Sequence, residues 1–327
     1  MIINVKNTDL KKTQVYDTYW KFACERQNIF MRKLQGRCNN LTEDAILRKY
    51  KFTNTYRASD RVSQYLIKNV IYQKGYTNED TIFRILLFKT FNKIETWKKF
   101  EDSLGCINYK DFDCNRYGKI LNDYYNKGEK LYSGAYIMAS GKNIFGYERK
   151  FMNHLKLIEY MMKDNIAGKI AQCHKLEDIY NLLLPYPTIG TFLAYQYAID
   201  INYSEVADFD EMEFVVAGPG AKAGIRKCFS NSEQYSQEYI IRYMCEQQEK
   251  EFTRLGLKFK TLWGRKLQLI DCQNIFCETD KYARVKYPDI IDSNGRTRIK
   301  QRYKKKDINI EYFFPPKWGL NEKIGMI

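Results

Sequence analysis

The sequence lacks most of what marks a metal-binding, secreted or membrane-embedded protein. It has two histidines, and its nine cysteines, at 24, 38, 106, 114, 173, 228, 245, 272 and 277, include no CxxC pair. Structural zinc takes closely spaced sets of nitrogen and sulfur ligands. The nearest pair, Cys272 and Cys277, has neither a histidine nor a second cysteine pair beside it, so no metal is expected. An odd, scattered set also argues against a disulfide framework, and most of these thiols are expected to be reduced core residues. The opening MIINVKNTDLKK has no apolar core of signal-peptide length, and no later stretch offers the ~20 uncharged apolar residues of a membrane helix. A cytoplasmic protein with no membrane partner is the expectation. Repeats and low-complexity tracts are absent too, and nothing points to an obligate protein partner.

Acid is in short supply relative to base: Lys+Arg number 54 and Asp+Glu 39, a formal net charge of +15, accompanied by 27 Tyr and 19 Phe. Positive charge attracts a polyanion and rings stack on bases, so nucleic acid is the leading expected partner. An AT-rich genome enriches Lys, Asn, Tyr and Ile whatever the function, so charge alone does not decide. A chain of 327 residues can form one large helical fold or two lobes sharing a cleft.

Periodicity divides the chain. Apolar residues recur at helical spacing in 17–34, 59–71 and 80–100, which predicts a helical N-terminal lobe over 1–104. Residues 105–130, rich in Asn, Asp, Tyr and Gly, read as a connection. Helices are predicted again at 133–138, 151–162, 176–184 and 221–228, within a central region spanning 131–230. The last region, 231–327, begins with a long polar helix to about residue 255, continues through a β-rich LKFKTLW and the dense segment 271–285, and ends in a basic tail. That tail, RTRIKQRYKKK at 296–306, holds seven basic residues and no acid, and reads either as a solvated run or as a phosphate clamp.

Between two apolar helical runs lies LLLPYPTIGTFLAYQYAID. A glycine-containing turn there exposes N–H groups at the start of the second helix, where the dipole also favours an anion such as a DNA phosphate. Other polar constellations are candidate contacts. Asn274, Glu278 and Lys281, beside Gln273, share one helical face that could hydrogen-bond a sugar or base edge, or form a structural ion-pair network. Arg57, Arg61 and Gln64 repeat the pattern and could grip phosphate, or Arg57 and Asp60 pair within the helix. Gly218, Gly220 and Lys222, in GPGAKAG, lack the GxGxxG spacing of a dinucleotide fold and read as a phosphate-approaching loop or a plain turn. Asn202 and Tyr203 could line a pocket, and Tyr186 or Tyr132 could stack on a displaced base.

The hairpin Tyr186, Pro187, Thr188, Ile189, Gly190 resembles that of the helix-hairpin-helix DNA glycosylases, with Thr188 in place of the first glycine. More broadly, KFTNTYRASDRVSQYLI, AYQYAIDINYS, EFVVAGPGAKAGIRKCF and DCQNIFCETDKYARV resemble the α-glutamyl/putrescinyl-thymine pyrophosphorylase clade, also found as the helical domain beside hydroxymethyluracil DNA kinases. The resemblance implies a mostly α fold with two helical lobes around a basic cleft, like a helix-hairpin-helix glycosylase. It further implies a bacterial enzyme that flips a hypermodified base, above all α-glucosylated hydroxymethylcytosine, out of double-stranded phage DNA and excises it in anti-phage defence. Two alternatives stand beside it: an enzyme that builds hypermodified thymine in DNA from a pyrophosphorylated intermediate, and a non-catalytic helical DNA-binding module.

Breaking a glycosidic bond needs a carboxylate beside the cationic sugar. In the glycosylases an aspartate follows the hairpin, and the twentieth residue after Gly190 is Asp210, within DFDEMEF. Loop lengths differ, so Glu213 is nearly as good a candidate, and Asp200 a third if the helix ends early. Phe192 stands where bifunctional relatives carry a lysine, which implies a monofunctional glycosylase that leaves an abasic site. The four-cysteine cluster of iron–sulfur relatives is also missing, so no cofactor is expected.

Overall fold

The computed structural model describes residues 9–37, 39–291, 295–305 and 310–325; Cys38 and Lys306, the last residue of the basic tail, lie outside the described residues. The described chain is mostly helical, and its β pairing is confined to three isolated bridges. In chain order the helices are α1 (Gln14–Leu34), α2 (Ala45–Lys49), α3 (Arg61–Tyr65), α4 (Asn78–Phe91), α5 (Ile94–Leu104), α6 (Cys114–Asn126) and α7 (Lys142–Phe145). They continue with α8 (Lys150–Lys163), α9 (Ile166–Ala171), α10 (Leu176–Leu183), α11 (Thr191–Asn202), α12 (Pro219–Cys228), α13 (Gln237–Arg254) and α14 (Leu269–Lys286). No helix among the described residues is long and apolar enough to cross a membrane.

The chain falls into two compact units. The first comprises Met1–Asp60, Glu211–Tyr312 and Gly319–Ile327. Its centre is α14, which starts with a reciprocal cap between Gln268 and Asp271 and buries Leu269, Ile270, Cys272, Ile275, Phe276 and Ala283. α1 joins it through Tyr19 against Phe276, ring centroids 4.7 Å apart, and reaches α13 through Trp20 against Phe252 at 5.1 Å. The second unit comprises Arg61–Asp210 and Phe313–Trp318. There α4 and α11 are buried on all sides over 82–91 and 193–202, the pattern of helices that other helices surround.

α12 crosses α14 at close range, and two glycines permit it. A Cβ on Gly224 would sit 2.1 Å from the Phe276 carbonyl oxygen, and one on Gly220 would sit 2.3 Å from Cys277 Sγ. The GPGAKAG run is thus a helix-packing surface along its glycines. Gly224→Ala must move backbone and is expected to lower stability by about 1–3 kcal/mol, the usual range for overpacking. Gly220→Ala meets mainly a movable sulfur and should cost less; urea unfolding of the two variants, with the reverse ranking, would overturn this account of the crossing.

Several predicted elements come out differently. The predicted helix 59–71 is interrupted: Arg57–Ser59 is a 3-10 turn, Asp60 is extended at ψ 146°, and only then does α3 begin, running on into a π-helical Leu66–Ile71. Arg57 and Arg61 therefore do not share a helical face. The helix predicted over 80–100 is divided at Asn92, whose left-handed φ of 48° caps α4. The predicted connection 105–130 carries α6, nucleated by an Asp113 cap on Arg116 N. Residues 133–138 form no helix, and LKFKTLW forms no strand beyond a single Leu262–Arg265 bridge.

Candidate functional site

In the first unit, residues 51–60 lie along α14 and α1 and are held almost wholly by side chains. Arg26 donates through Nε to the Thr53 carbonyl at 2.9 Å and through Nη2 to Asn54 Oδ1 at 2.6 Å. From α14, Glu278 Oε2 accepts from Thr53 N at 2.9 Å, while Asn274 Nδ2 donates to Thr53 Oγ1 at 3.0 Å. Lys281 pairs with Glu278 at 2.8 Å and lies over the Phe52 ring. Asp271 Oδ1 accepts from Arg57 N at 2.8 Å, and Thr55 Oγ1 donates to the Ala23 carbonyl at 2.7 Å. The face formed by Asn274, Glu278 and Lys281 is real, and it is occupied in holding this segment. Gln273, on the same helix, is buried.

The segment ends at Asp60, whose Oδ1 accepts from Asn54 N at 2.8 Å. Asp60 is half-buried, and Oδ2 has no hydrogen-bond partner among the described residues. Loss of hydration pushes its carboxyl up to about 6, against the opposing pull of the Asn54 N–H and the Arg26 guanidinium. Burial likewise pushes Asp271 up to about 7 and draws the Arg26 guanidinium down. A carboxylate titrating near neutrality, with one oxygen held and the other available, is suited to accept a proton. Sequence reading had named Asp60 only as a partner for Arg57 and had missed Arg26, Thr53 and Asn54. The signal was there in KFTNTYRASD, a run of hydrogen-bonding side chains with no apolar periodicity.

In the second unit the hairpin is a formed turn. Thr188 adopts a left-handed φ of 67°, where a glycine is usual, and Gly190 caps α11 and is exposed. Tyr186 is buried: its hydroxyl donates to Asp164 Oδ2 at 2.6 Å and its ring meets Tyr160 edge-on at 5.8 Å. Asp200, in the last turn of α11, forms a fully buried ion pair with Lys89 at 2.8 Å. Lys89 also lies 3.8 Å over the Tyr136 ring, which stacks on Phe192. Asn202 clips the following loop by accepting from Phe209 N at 2.9 Å and donating to the Phe209 carbonyl at 3.0 Å. Tyr203 is buried; its carbonyl accepts from Tyr72 and its ring packs edge-on against Trp318. Tyr132 hydrogen-bonds His154 Nδ1 at 3.0 Å, and burial holds that imidazole down at about 4. Arg61 is half-buried, and Gln64 is buried with its Oε1 accepting from Phe313 N.

The remaining acids differ in exposure and in partner. Asp210 and Glu213 are exposed, Glu211 is buried against Arg265 at 2.8 Å, and Asp208 lies 3.4 Å from Lys317. Lys222 is exposed while Gly218, which caps α12, is buried. The basic tail is pinned at Arg302 by a bridge to Tyr50, with Tyr303 N donating to the Lys49 carbonyl at 3.1 Å.

Residues 13–292 match the family described as 5-hmdU DNA kinase, helical domain. The chain belongs to that family. It is 27% identical over 288 residues to a 5-hmdU DNA kinase of Bacillus phage SP10, an alignment covering 82% of this chain and 45% of the relative. The chain thus spans less than half the length of that relative. No solved structure matches it.

These kinships correct the functional expectation. The resemblance to the helical domain beside hydroxymethyluracil DNA kinases stands, whereas a kinship to helix-hairpin-helix glycosylases is not part of what matches. The relative is named for phosphoryl transfer to DNA, a reaction that leaves the glycosidic bond intact. A monofunctional glycosylase that hydrolyses a base from phage DNA, leaves an abasic site and serves anti-phage defence is therefore the wrong reading. The modification of thymine in DNA, held as an alternative, fits the family better.

Proposed function

We propose that this protein acts on DNA carrying 5-hydroxymethyluracil, as part of the building of a modified thymine. The observation that carries the reading is the match of residues 13–292 to the helical domain of the 5-hmdU DNA kinases. Converting a 5-hydroxymethyl group by phosphoryl transfer requires its oxygen to attack phosphorus while its proton leaves, and the donor's leaving group departs in line. Asp60 is assigned as the acceptor of that proton, with Arg26 and Asn54 as positioning residues that hold the segment bearing it. None of the Gly-Lys steps of the sequence stands in a G-x-x-x-x-G-K-[ST] loop, so the residues here are proposed for the acceptor side of the reaction. The hairpin at 186–190, with Gly190 opening α11, and the exposed Lys222 are assigned to the DNA backbone, where N–H groups and ammonium charges oppose phosphate.

The test uses two duplex oligonucleotides that differ only in one 5-hydroxymethyluracil in place of thymine. Binding in fluorescence anisotropy is expected to favour the modified duplex by on the order of tenfold, the worth of one good hydrogen bond to a buried group. Mass spectrometry of the incubated DNA is expected to find no released base. Equal affinity for the two duplexes, or free base accumulating with time, would overturn the reading.

A further inference from the structure

The first unit contains a cavity of about 340 Å³ that none of the residues above uses. One wall is the outer face of α1, which presents Asn28, Arg32 and Gln35 at positions three and four apart. Just past the helix, Gly36 turns the chain at φ 76° and brings Arg37 to the rim. The opposite wall is the non-helical run after α13. There Phe259 is turned inward and stacks on Phe252 with centroids 4.2 Å apart and planes 4° from parallel. Lys258 and Lys260, on either side of it, stay exposed and line the cavity. The alternation seen in LKFKTLW therefore has a use although no sheet forms: it sets one aromatic ring inward and two ammonium groups outward.

The lining holds four cations and no acid. Arg32 is partly committed to Glu25 at 2.9 Å, but Arg37, Lys258 and Lys260 have no carboxylate partner among the described residues. Like charges gathered in a concavity repel one another and concentrate anions from solution. Cys24, also in the lining, carries a thiol that burial pushes up to about 11, so it adds no negative charge and no nucleophile. The volume lies at the small end of the range for ligand sites and exceeds what a single inorganic phosphate fills.

We infer that this cavity binds a phosphate-bearing ligand, whose phosphate groups are held between Arg32 and Arg37 on one side and Lys258 and Lys260 on the other. Guanidinium forks donate to phosphate oxygens in pairs, and the two lysines supply point charges that tolerate more than one phosphate position. Such a ligand can be free, as in pyrophosphate, or a phosphate of the DNA backbone.

The experiment titrates the full chain with inorganic pyrophosphate by calorimetry and, separately, with an unmodified 20-base-pair duplex by anisotropy. The native protein is expected to bind pyrophosphate, and the double variant Lys258→Ala/Lys260→Ala to lose on the order of tenfold affinity for each lysine removed. Lys258→Arg/Lys260→Arg should restore most of it. Both lysines are exposed, so circular dichroism melting of the variants is expected to match the native protein. A loss confined to pyrophosphate assigns the cavity to a free ligand, and a loss confined to the duplex assigns it to backbone phosphate. Undiminished affinity of the double alanine variant for both probes, or no binding of either by the native protein, would overturn the inference. Equal affinity for 5-hydroxymethyluracil and thymine duplexes would leave it untouched, because neither probe here contains the modified base.

Discussion

If the protein acts as proposed, Asp60→Asn is expected to slow conversion of the 5-hydroxymethyl group by about 10²–10⁴, the usual contribution of a positioned general base. The substitution keeps the Oδ1 that accepts from Asn54 N, so the segment it closes should keep its shape. The pH dependence follows from the sign of the shift. Burial raises Asp60 from 3.8 to about 6, so the ionised form able to take a proton accumulates only as pH rises through about 6. The native rate should climb through that region and level off above it, and the Asn variant should be slow and flat across it. Stability runs the other way. A carboxyl with a raised folded pKa stabilises the fold most below its unfolded value near 4, and that contribution is gone once pH passes about 6. At pH 8 the native protein carries an ionised, partly desolvated Asp60 and the variant does not, so Asp60→Asn should melt at or above the parental temperature. Slow turnover with unimpaired melting is the signature of a chemical role. A drop in both, or a parental rate, would remove Asp60 from the chemistry.

How much of this was visible in the sequence depends on the range of the interaction. Helices with an apolar repeat were legible: α1, α8, α10 and α12 lie within a few residues of where the sequence pattern put them, because one buried stripe fixes the element without its neighbours. Breaks were not legible. Asn92 ends α4 through a left-handed turn, and Asp60 ends a turn by going extended, and in both cases the flanking apolar pattern runs straight through. Residues 133–138 and LKFKTLW failed for the opposite reason, since short patterned runs of six or seven residues fit several local structures until packing selects one. The polar face of Asn274, Glu278 and Lys281 was legible as a face. Its purpose was not, because the groups it holds lie 221 residues away at Thr53. The GPGAKAG run shows the same limit: glycine signals close approach, and only the fold reveals that what approaches is α14.

The chemistry was misread for a related reason. A hairpin of five residues specifies a turn, and the turn formed, with Thr188 accepting a backbone angle that glycine would take more easily. A turn does not specify a reaction, and similar hairpins sit in proteins of different activity. The four longer motifs led to the right neighbourhood, beside the hydroxymethyluracil DNA kinases, but the resemblance they carry was extended to excision, whereas the family that matches is described by a kinase.

Lys89→Met is expected to lower stability by about 3–5 kcal/mol, the cost of leaving one member of a buried ion pair without the other. Lys89 and Asp200 are each about 2% exposed, and 2.8 Å separates their charged atoms. With the ammonium gone, Asp200 loses the cation that offsets its burial between α4 and α11. The double variant Lys89→Met/Asp200→Leu removes both charges at similar volume and should recover most of the loss, so the two changes should be strongly non-additive in a urea cycle. Asp200→Asn completes the comparison: it removes the carboxylate that offsets the buried Lys89 charge, and should destabilise more than the double variant does. The cycle also bears on why an acid closes α11 at all. If the pair is structural, conversion of the modified base per folded molecule should be unchanged in the double variant. Should Lys89→Met unfold at the parental urea concentration, the pair is not desolvated as its geometry implies, and its structural assignment falls.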